Sequence, residues 1–395
     1  MVGLGIAGIA TAIRLREAGW EPVVVERAPQ RRAGGYFIVL WEAGTAAARR
    51  LGVLDALGDR ADPDTAVYEV NRAGRRHKGV SFGSIANGPR VLLRGDVEDA
   101  LFSGLPGDVE IRYSTVPAHI VQDAAGVDVA LHDTAADATT TERFDLVVGA
   151  DGLRSTVRRL VFGPDANHLH PLNYMIGVCL LDDQVPGFRP HDGLVLAEPG
   201  RSAWTFPFGD RPPSLLFSYR TADVDAEFRR TPAGSVRAAF GPEPAGPTLG
   251  WLLDRFEGAG DVLFDSVHQV RMRQWHHGRV ALVGDAAWCL TLYTGLGASS
   301  AIAGGDLLGT MLQRHPDDLG RALSDWNARL LPFVVQQQET VQTMRRFFTP
   351  ADRGEQARRS AMLRLATAPM IGPAMARLRE RSPMLAMRRL DVAAP

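Results

Sequence analysis

Lysine is nearly absent from this chain: Lys78 is the only one, and arginine supplies the rest of 44 basic residues against 45 acidic ones. Chemistry that needs a buried lysine therefore has one candidate, which stands far from every motif described below. Cysteine is scarce too. Cys179 and Cys289 cannot build a disulfide framework, and the N-terminus shows no basic, apolar and small-residue leader, so a reducing cytoplasm is expected. A net charge of -1 offers no field for nucleic acid, and no apolar run reaches the roughly 18 residues needed for stable membrane insertion. His276 and His277 stand together on a predicted short turn without spaced cysteine or acid partners, so no metal is expected. Nor is there a persuasive Ser-His-Asp or Cys-His set.

What is present is glycine next to acids at the ends of short apolar runs. The 395 residues, 45% of them hydrophobic, exceed a typical domain of roughly 100 to 200 residues and predict two domains with a tail. Val2 is the stub of a strand that normally has several more residues, so the chain as given is expected to begin inside its first element. Gly3-x-Gly5-x-x-Gly8 follows, then a helical face and an apolar strand over residues 22–25 that ends at Glu26. In such a unit the glycines permit a tight turn and close approach of a pyrophosphate, while the acid about 20 residues on meets a ribose hydroxyl. A second buried strand ends at Gly149-Ala-Asp151-Gly152, with Ser155 and Arg158 on the next helix. A third, residues 280–283, runs into Gly284-Asp285. Gly295 and Gly297 then open a small-residue helix whose free N–H groups can face a polar ligand. Gly34-Gly35-Tyr36 suits close approach to a flat ligand, although a flexible turn uses the same residues, and Arg94 stands at a strand-to-helix junction. Residues 46–57 read as one amphipathic packing helix with Leu51, Leu54 and Leu57 on one side.

These three fingerprints, in this order and with this spacing, resemble the class A FAD-dependent aromatic monooxygenases of the para-hydroxybenzoate hydroxylase type. The resemblance covers residues 1 to about 340. It implies an α/β fold: a Rossmann-like FAD domain, an antiparallel-sheet substrate domain and a helical C-terminal segment. The expected boundaries are 1–165 and 269–340 for the FAD domain, 166–268 for the substrate domain, and 341–395 for the C-terminal helices. A hairpin at about 65–90, including Val80 and Phe82, joins the substrate domain. The implied FAD contacts are Gly3, Gly5, Ile6, Ala7, Gly8, Glu26, Arg27, Gly35, Arg94, Asp151, Gly284, Asp285, Gly295, Leu296 and Gly297, with Asp285 on the ribityl chain.

Between residues 170 and 268, short strand candidates alternate with Pro and Gly turns. The resemblance makes this sheet the roof of the flavin. Its aromatics Trp204, Phe206, Phe217 and Tyr219 fall at period-2 spacing, so each pair shares a face, and they are substrate candidates, although core packing is the commoner fate of such residues. Trp288 and Leu292 join them; most relatives carry Pro at the second position and often His or Tyr at the first, so Trp288 walls the pocket, stacks on the ligand or packs in the core. From Arg345 to Arg389 eleven arginines face three acids. A basic tail of this kind can meet an anionic membrane or a partner, but helices covering the cofactor domain with solvated arginines are the commoner arrangement.

The resemblance further implies that NADPH or NADH, bound transiently because no second GxGxxG exists, reduces FAD, and that O2 then oxygenates an aromatic or polycyclic small molecule, a natural-product intermediate. The partners expected are that substrate and O2, in a monomer or homodimer. Two alternatives remain at this point: an FAD-dependent oxidase or dehydrogenase, and a non-catalytic FAD- or substrate-binding protein. A halogenase does not fit, because Trp204-Thr-Phe-Pro only partly matches the WxWxIP motif.

Overall fold

Short, valine-rich runs that bury both faces are what a parallel sheet between helices requires. In the computed structural model, which describes residues 1–31, 34–79, 88–368 and 371–394, Val23–Val25 pairs in parallel with Glu110–Arg112, and Val147–Gly149 with Val280–Leu282. Val2 joins the two halves by itself, bridging Val25 on one side and Gly149 on the other. The Gly3 N–H donates to Val25 O at 2.8 Å and the Ala150 N–H to Val2 O at 2.7 Å. One residue of strand thus brings the first glycine turn beside the second. His276–His277, expected on a turn, instead forms a two-residue antiparallel edge strand on Val280–Leu282.

Helices Ile6–Glu17 and Gly297–Arg314 pack on each other beside this sheet. Small residues make their approach close: a methyl on Gly305 would stand 2.5 Å from Thr11 Oγ1, and one on Gly309 2.4 Å from Arg14 Cγ. The segment expected as one helix over 46–57 is two, Glu42–Arg50 and Leu54–Leu57. The break falls at Gly52, whose φ of 71° lies outside the helical region.

The second layer is a seven-stranded sheet in the order Leu263–Val270, Leu169–Leu180, Ser214–Arg220, Arg201–Phe206, Gly193–Glu198, Val67–Val70, Arg76–Lys78. All neighbours are antiparallel except Gly193–Glu198 with Val67–Val70. The hairpin drawn from the first half of the chain therefore extends this sheet, and Lys78 lies exposed at its edge. Val80 and Phe82, like Arg32 and Ala33, are outside the described residues.

Helices Pro232–Phe240 and Gly246–Gly258 bury Val236, Phe240, Leu249, Leu252, Leu253 and Phe256 against one face of the sheet. The sequence reading held only strands here. Thr231 caps the first of these helices and Pro232 occupies its first turn, where the lost N–H costs nothing. On the opposite side helix Leu319–Phe348 runs 30 residues, across the boundary expected at 340/341. Three shorter helices follow, Arg353–Thr367, Gly372–Glu380 and Pro383–Arg388. Among the described residues no helix is long and apolar enough to cross a membrane.

Candidate active site

Among the described residues no side chain caps helix Ile6–Glu17, and no acid lies in its first turn. Its leading N–H groups therefore lack an internal partner and, with the helix dipole behind them, favour an anion. The residue before this helix, Gly5, lines a cleft of about 220 Å³ together with Gly3, Glu26, Arg27, Arg94, Glu98, Asp151 and Arg154 among others. Glu26 shapes the turn as well as the cleft: one carboxylate oxygen accepts the Leu4 N–H at 2.8 Å and the other the Ala28 N–H at 2.9 Å. Each oxygen keeps a lone pair for a hydroxyl. Arg94 pairs with Glu98 one helical turn on at 2.7 Å, and Gly35 lets the preceding loop lie against it, because a methyl there would be 2.6 Å from the Gly95 nitrogen. Arg27 stands exposed at the rim.

The three glycine-acid segments meet. A methyl on Gly3 would be 2.6 Å from Ala150 O, and one on Gly284 2.7 Å from the Ala7 methyl. Asp151 is already occupied: it accepts from Ser155 Oγ at 2.5 Å and from the Thr156 and Val157 N–H groups at 2.6 and 3.0 Å. Its first task is to hold the next helix. From that helix Arg158, fully buried, donates to Ala286 O at 2.9 Å, Leu153 O at 2.7 Å and Asp165 at 2.6 Å. It ties the second segment to the residue after Asp285.

Asp285 is reached by water although protein surrounds it, as expected of a carboxylate facing a recess. Desolvation raises its pKa, opposed by the Cys289 thiol hydrogen bond and the Arg94 charge. Burial likewise raises the Tyr36 phenol, which lies within electrostatic reach of both Arg94 and Asp285. Tyr36 thus links the cleft to the third segment, although Asp285 and residues 295–297 do not line the cleft itself. Helix Gly297–Arg314 also starts without a side-chain cap, and Leu296, wholly buried, can offer only its backbone. Uncapped helix starts, a strand-end glutamate with spare lone pairs and an open cleft fit an extended dinucleotide such as FAD.

Above this floor the aromatic candidates separate. Phe206 stacks on Phe37 at 4.5 Å between centroids, Trp204 on Phe206 at 5.9 Å, and Phe348 lies 4.6 Å from Trp204. Phe348 O also accepts the Trp204 indole N–H at 3.1 Å. Phe217 and Tyr219 face the other way. Phe217 meets Phe240 and Phe256 edge-on, each at 5.4 Å, and Tyr219 Oη donates to Glu227 at 2.9 Å. They belong to the helix-covered core, and their candidacy for substrate contact is withdrawn. Phe217→Ala is expected to destabilise the fold by about 3–5 kcal/mol while leaving the flavin spectrum and substrate preference unchanged, measured by urea unfolding and substrate titration.

Trp288 is corrected in the same way. It is 1% exposed, lies 4.7 Å from Trp275 and 6.0 Å from Trp326, and fits only because Gly304 faces it: a methyl there would be 2.7 Å from the indole. Leu292 is half-buried in a single 3-10 turn beside the Trp204 cluster. The residue before it, Thr291, has φ 67° and a buried hydroxyl with no partner among the described residues. That backbone is strained for a β-branched side chain. The sequence reading missed Glu98, which its i,i+4 spacing from Arg94 could have indicated, and Arg154, which no spacing marks. Three of the tail arginines, Arg345, Arg359 and Arg388, are buried rather than solvated.

Residues 1–194 match the family model described as FAD binding domain. An uncharacterized protein of Mycobacterium tuberculosis is 29% identical over 344 residues, spanning 85% of this chain and 90% of that one. A protein named flavin-dependent monooxygenase, from an unknown prokaryotic organism, is 26% identical over 351 residues, 86% of each chain. Among solved structures, tetracycline destructase Tet(55) superposes with a TM-score of 0.78 at 24% identity, covering 100% of this chain and 96% of its own.

Proposed function

We propose that this chain acts as a class A FAD-dependent aromatic monooxygenase and that it uses NADPH or NADH and O2, in the cytoplasm, to hydroxylate an aromatic or polycyclic small molecule, a natural-product intermediate. The observation that supports this reading most is the meeting of three glycine-acid segments under an aromatic roof. When bound, FAD supplies the electron transfer and oxygen activation that no side chain here can provide. The protein's part is position and exclusion of water.

In this reading the N–H groups that open helix Ile6–Glu17, together with Arg94, hold the pyrophosphate. Glu26 takes the ribose hydroxyls. Asp285 takes the ribityl chain, and the backbone of residues 295–297 faces the ring. The buried side chains of Leu290 and Leu296 keep water from the reacting face. The roof of Phe37, Phe206 and Trp204 supplies a flat apolar ceiling.

Asp285→Ala is expected to release FAD during gel filtration; retention equal to wild type places the ribityl contact elsewhere. The reaction is tested by NAD(P)H oxidation with and without a panel of phenols, followed by mass spectrometry of the product made under labelled O2. Stimulated oxidation with label in the product is the expected result. Product without label identifies an oxidase or dehydrogenase, and absence of any stimulation leaves a binding protein.

A further inference from the structure

Nine large apolar side chains are exposed among the described residues, and six of them, Met362, Leu365, Ile371, Leu378, Met384 and Leu390, fall on the last three helices or their flanks. They are not scattered. On helix Arg353–Thr367, Arg358, Met362 and Leu365 stand at i, i+4 and i+7 on the face opposite to buried Arg359 and Leu363. Ile371, Met375 and Leu378 repeat that spacing on the next helix, Gly372–Glu380, where Leu378 is 66% exposed. Single exposed leucines need no account, but a stripe carried across consecutive helices marks an interaction surface.

Arginine edges the stripe. Arg353, Arg358, Arg364, Arg377 and Arg381 are exposed, and none of them forms an ion pair among the described residues. The acids of the same stretch are engaged elsewhere: Glu355 with Arg345 and Arg346 at 2.7 and 3.0 Å, Asp391 with Arg50 at 2.6 Å, and Asp352 as the cap of helix Arg353–Thr367. The inner side of that helix is tied to the substrate sheet. Arg359 donates to both carboxylate oxygens of Glu69 at 2.6 and 2.9 Å and lies 5.6 Å from the centre of the Trp204 ring, while Gln356 Nε2 donates to Ala197 O at 2.9 Å. The exposed face therefore lies directly behind the aromatic roof.

Charge and apolar area together select the occupant. A second copy paired across a two-fold axis would set arginine against arginine. A nucleic acid would meet the arginines but leave Ile371 and Leu378 in water. An anionic lipid surface answers both: guanidinium groups lie among the headgroup phosphates and carboxylates, and the apolar side chains sink below them. Arginine stems are long enough to keep the charge at headgroup level while the leucines are buried.

We propose that the outer face of helices Arg353–Thr367 and Gly372–Glu380 docks this protein on an anionic membrane surface. At 15 and 9 residues these helices lie on a bilayer and do not cross it, which takes about 20 residues. The proposal stands independently of the reaction assigned above.

The test is co-sedimentation of the FAD-loaded full chain with vesicles of phosphatidylcholine mixed with phosphatidylserine, and with vesicles of phosphatidylcholine alone. Wild type is expected to sediment with the mixed vesicles, to stay in solution with the neutral ones, and to be released as salt is raised. Arg377→Gln combined with Arg381→Gln should weaken binding roughly 30-fold, about fivefold for each arginine near the surface. Leu378→Glu should abolish sedimentation while keeping the wild-type melting temperature and flavin content, because the side chain it replaces is largely in water. If that variant fails to fold, the arginine pair, which leaves the apolar stripe intact, carries the test. Wild type that ignores the mixed vesicles overturns the proposal and leaves an acidic protein surface as the occupant. Equal binding to both vesicles, or binding unchanged in the arginine pair, overturns it too. So does a dimer in analytical ultracentrifugation that Leu378→Glu dissociates.

Discussion

Gly8→Ala is expected to purify with little or no flavin. The added methyl would stand 1.9 Å from Gly3 O and 3.4 Å from the Ala150 methyl, and the first of these is backbone that cannot step aside. Either the glycine turn or the start of helix Ile6–Glu17 must move, and the N–H groups assigned to the pyrophosphate move with it. Overpacking of this kind costs ~1–3 kcal/mol. Taken from cofactor binding at tenfold per 1.4 kcal/mol, that is a loss of roughly 5- to 140-fold in FAD affinity. Gly258→Ala, where nothing lies within 4 Å of the new methyl, is the control and should keep its flavin. Equilibrium titration of both apoproteins with FAD checks the difference.

Arg158→Met should cost more in stability. The substitution keeps the volume but leaves Ala286 O, Leu153 O and the Asp165 carboxylate without their buried donor. Breaking a buried pair in this way typically costs ~3–5 kcal/mol, which for a domain of this size lowers the melting temperature on the order of 10 °C. Because Ala286 follows Asp285, flavin retention should fall with it. A variant that melts like wild type would show that Asp151 and Ser155 hold this corner without the arginine. Thermal unfolding followed by flavin fluorescence reads both effects at once.

The parts of the site that depend on backbone geometry were legible in the sequence. Gly3, Gly8 and Gly284 occupy places where a side chain would strike backbone or a neighbouring methyl, and such places leave few residue choices. Short valine runs ending at Glu26 and Asp285 announced buried strands for the same reason. The faces of the roof were less legible. Period-2 spacing shows that Phe217 and Tyr219 share a face, but which face meets the flavin is decided by helices Pro232–Phe240 and Gly246–Gly258, which the sequence reading lacked. The apolar spacing of Leu249, Leu252, Leu253 and Phe256 could have indicated the second of them.

Trp288 shows a different limit. Its position in the third fingerprint suggested a pocket wall, yet what buries it is a cluster with Trp275 and Trp326, both well separated from it in sequence. Arg388 lies further still from any motif. In composition it was one of eleven arginines in the tail; only the absence of an acid around it among the described residues sets it apart from Arg345 and Arg359.

The claim at the centre of this account is that the three glycine-acid segments form one FAD site. Purified protein should show the visible absorption of a flavin, and denaturation should release FAD in a one-to-one ratio to chain. A colourless protein that stays colourless and binds no flavin when FAD is added would contradict the account at its base.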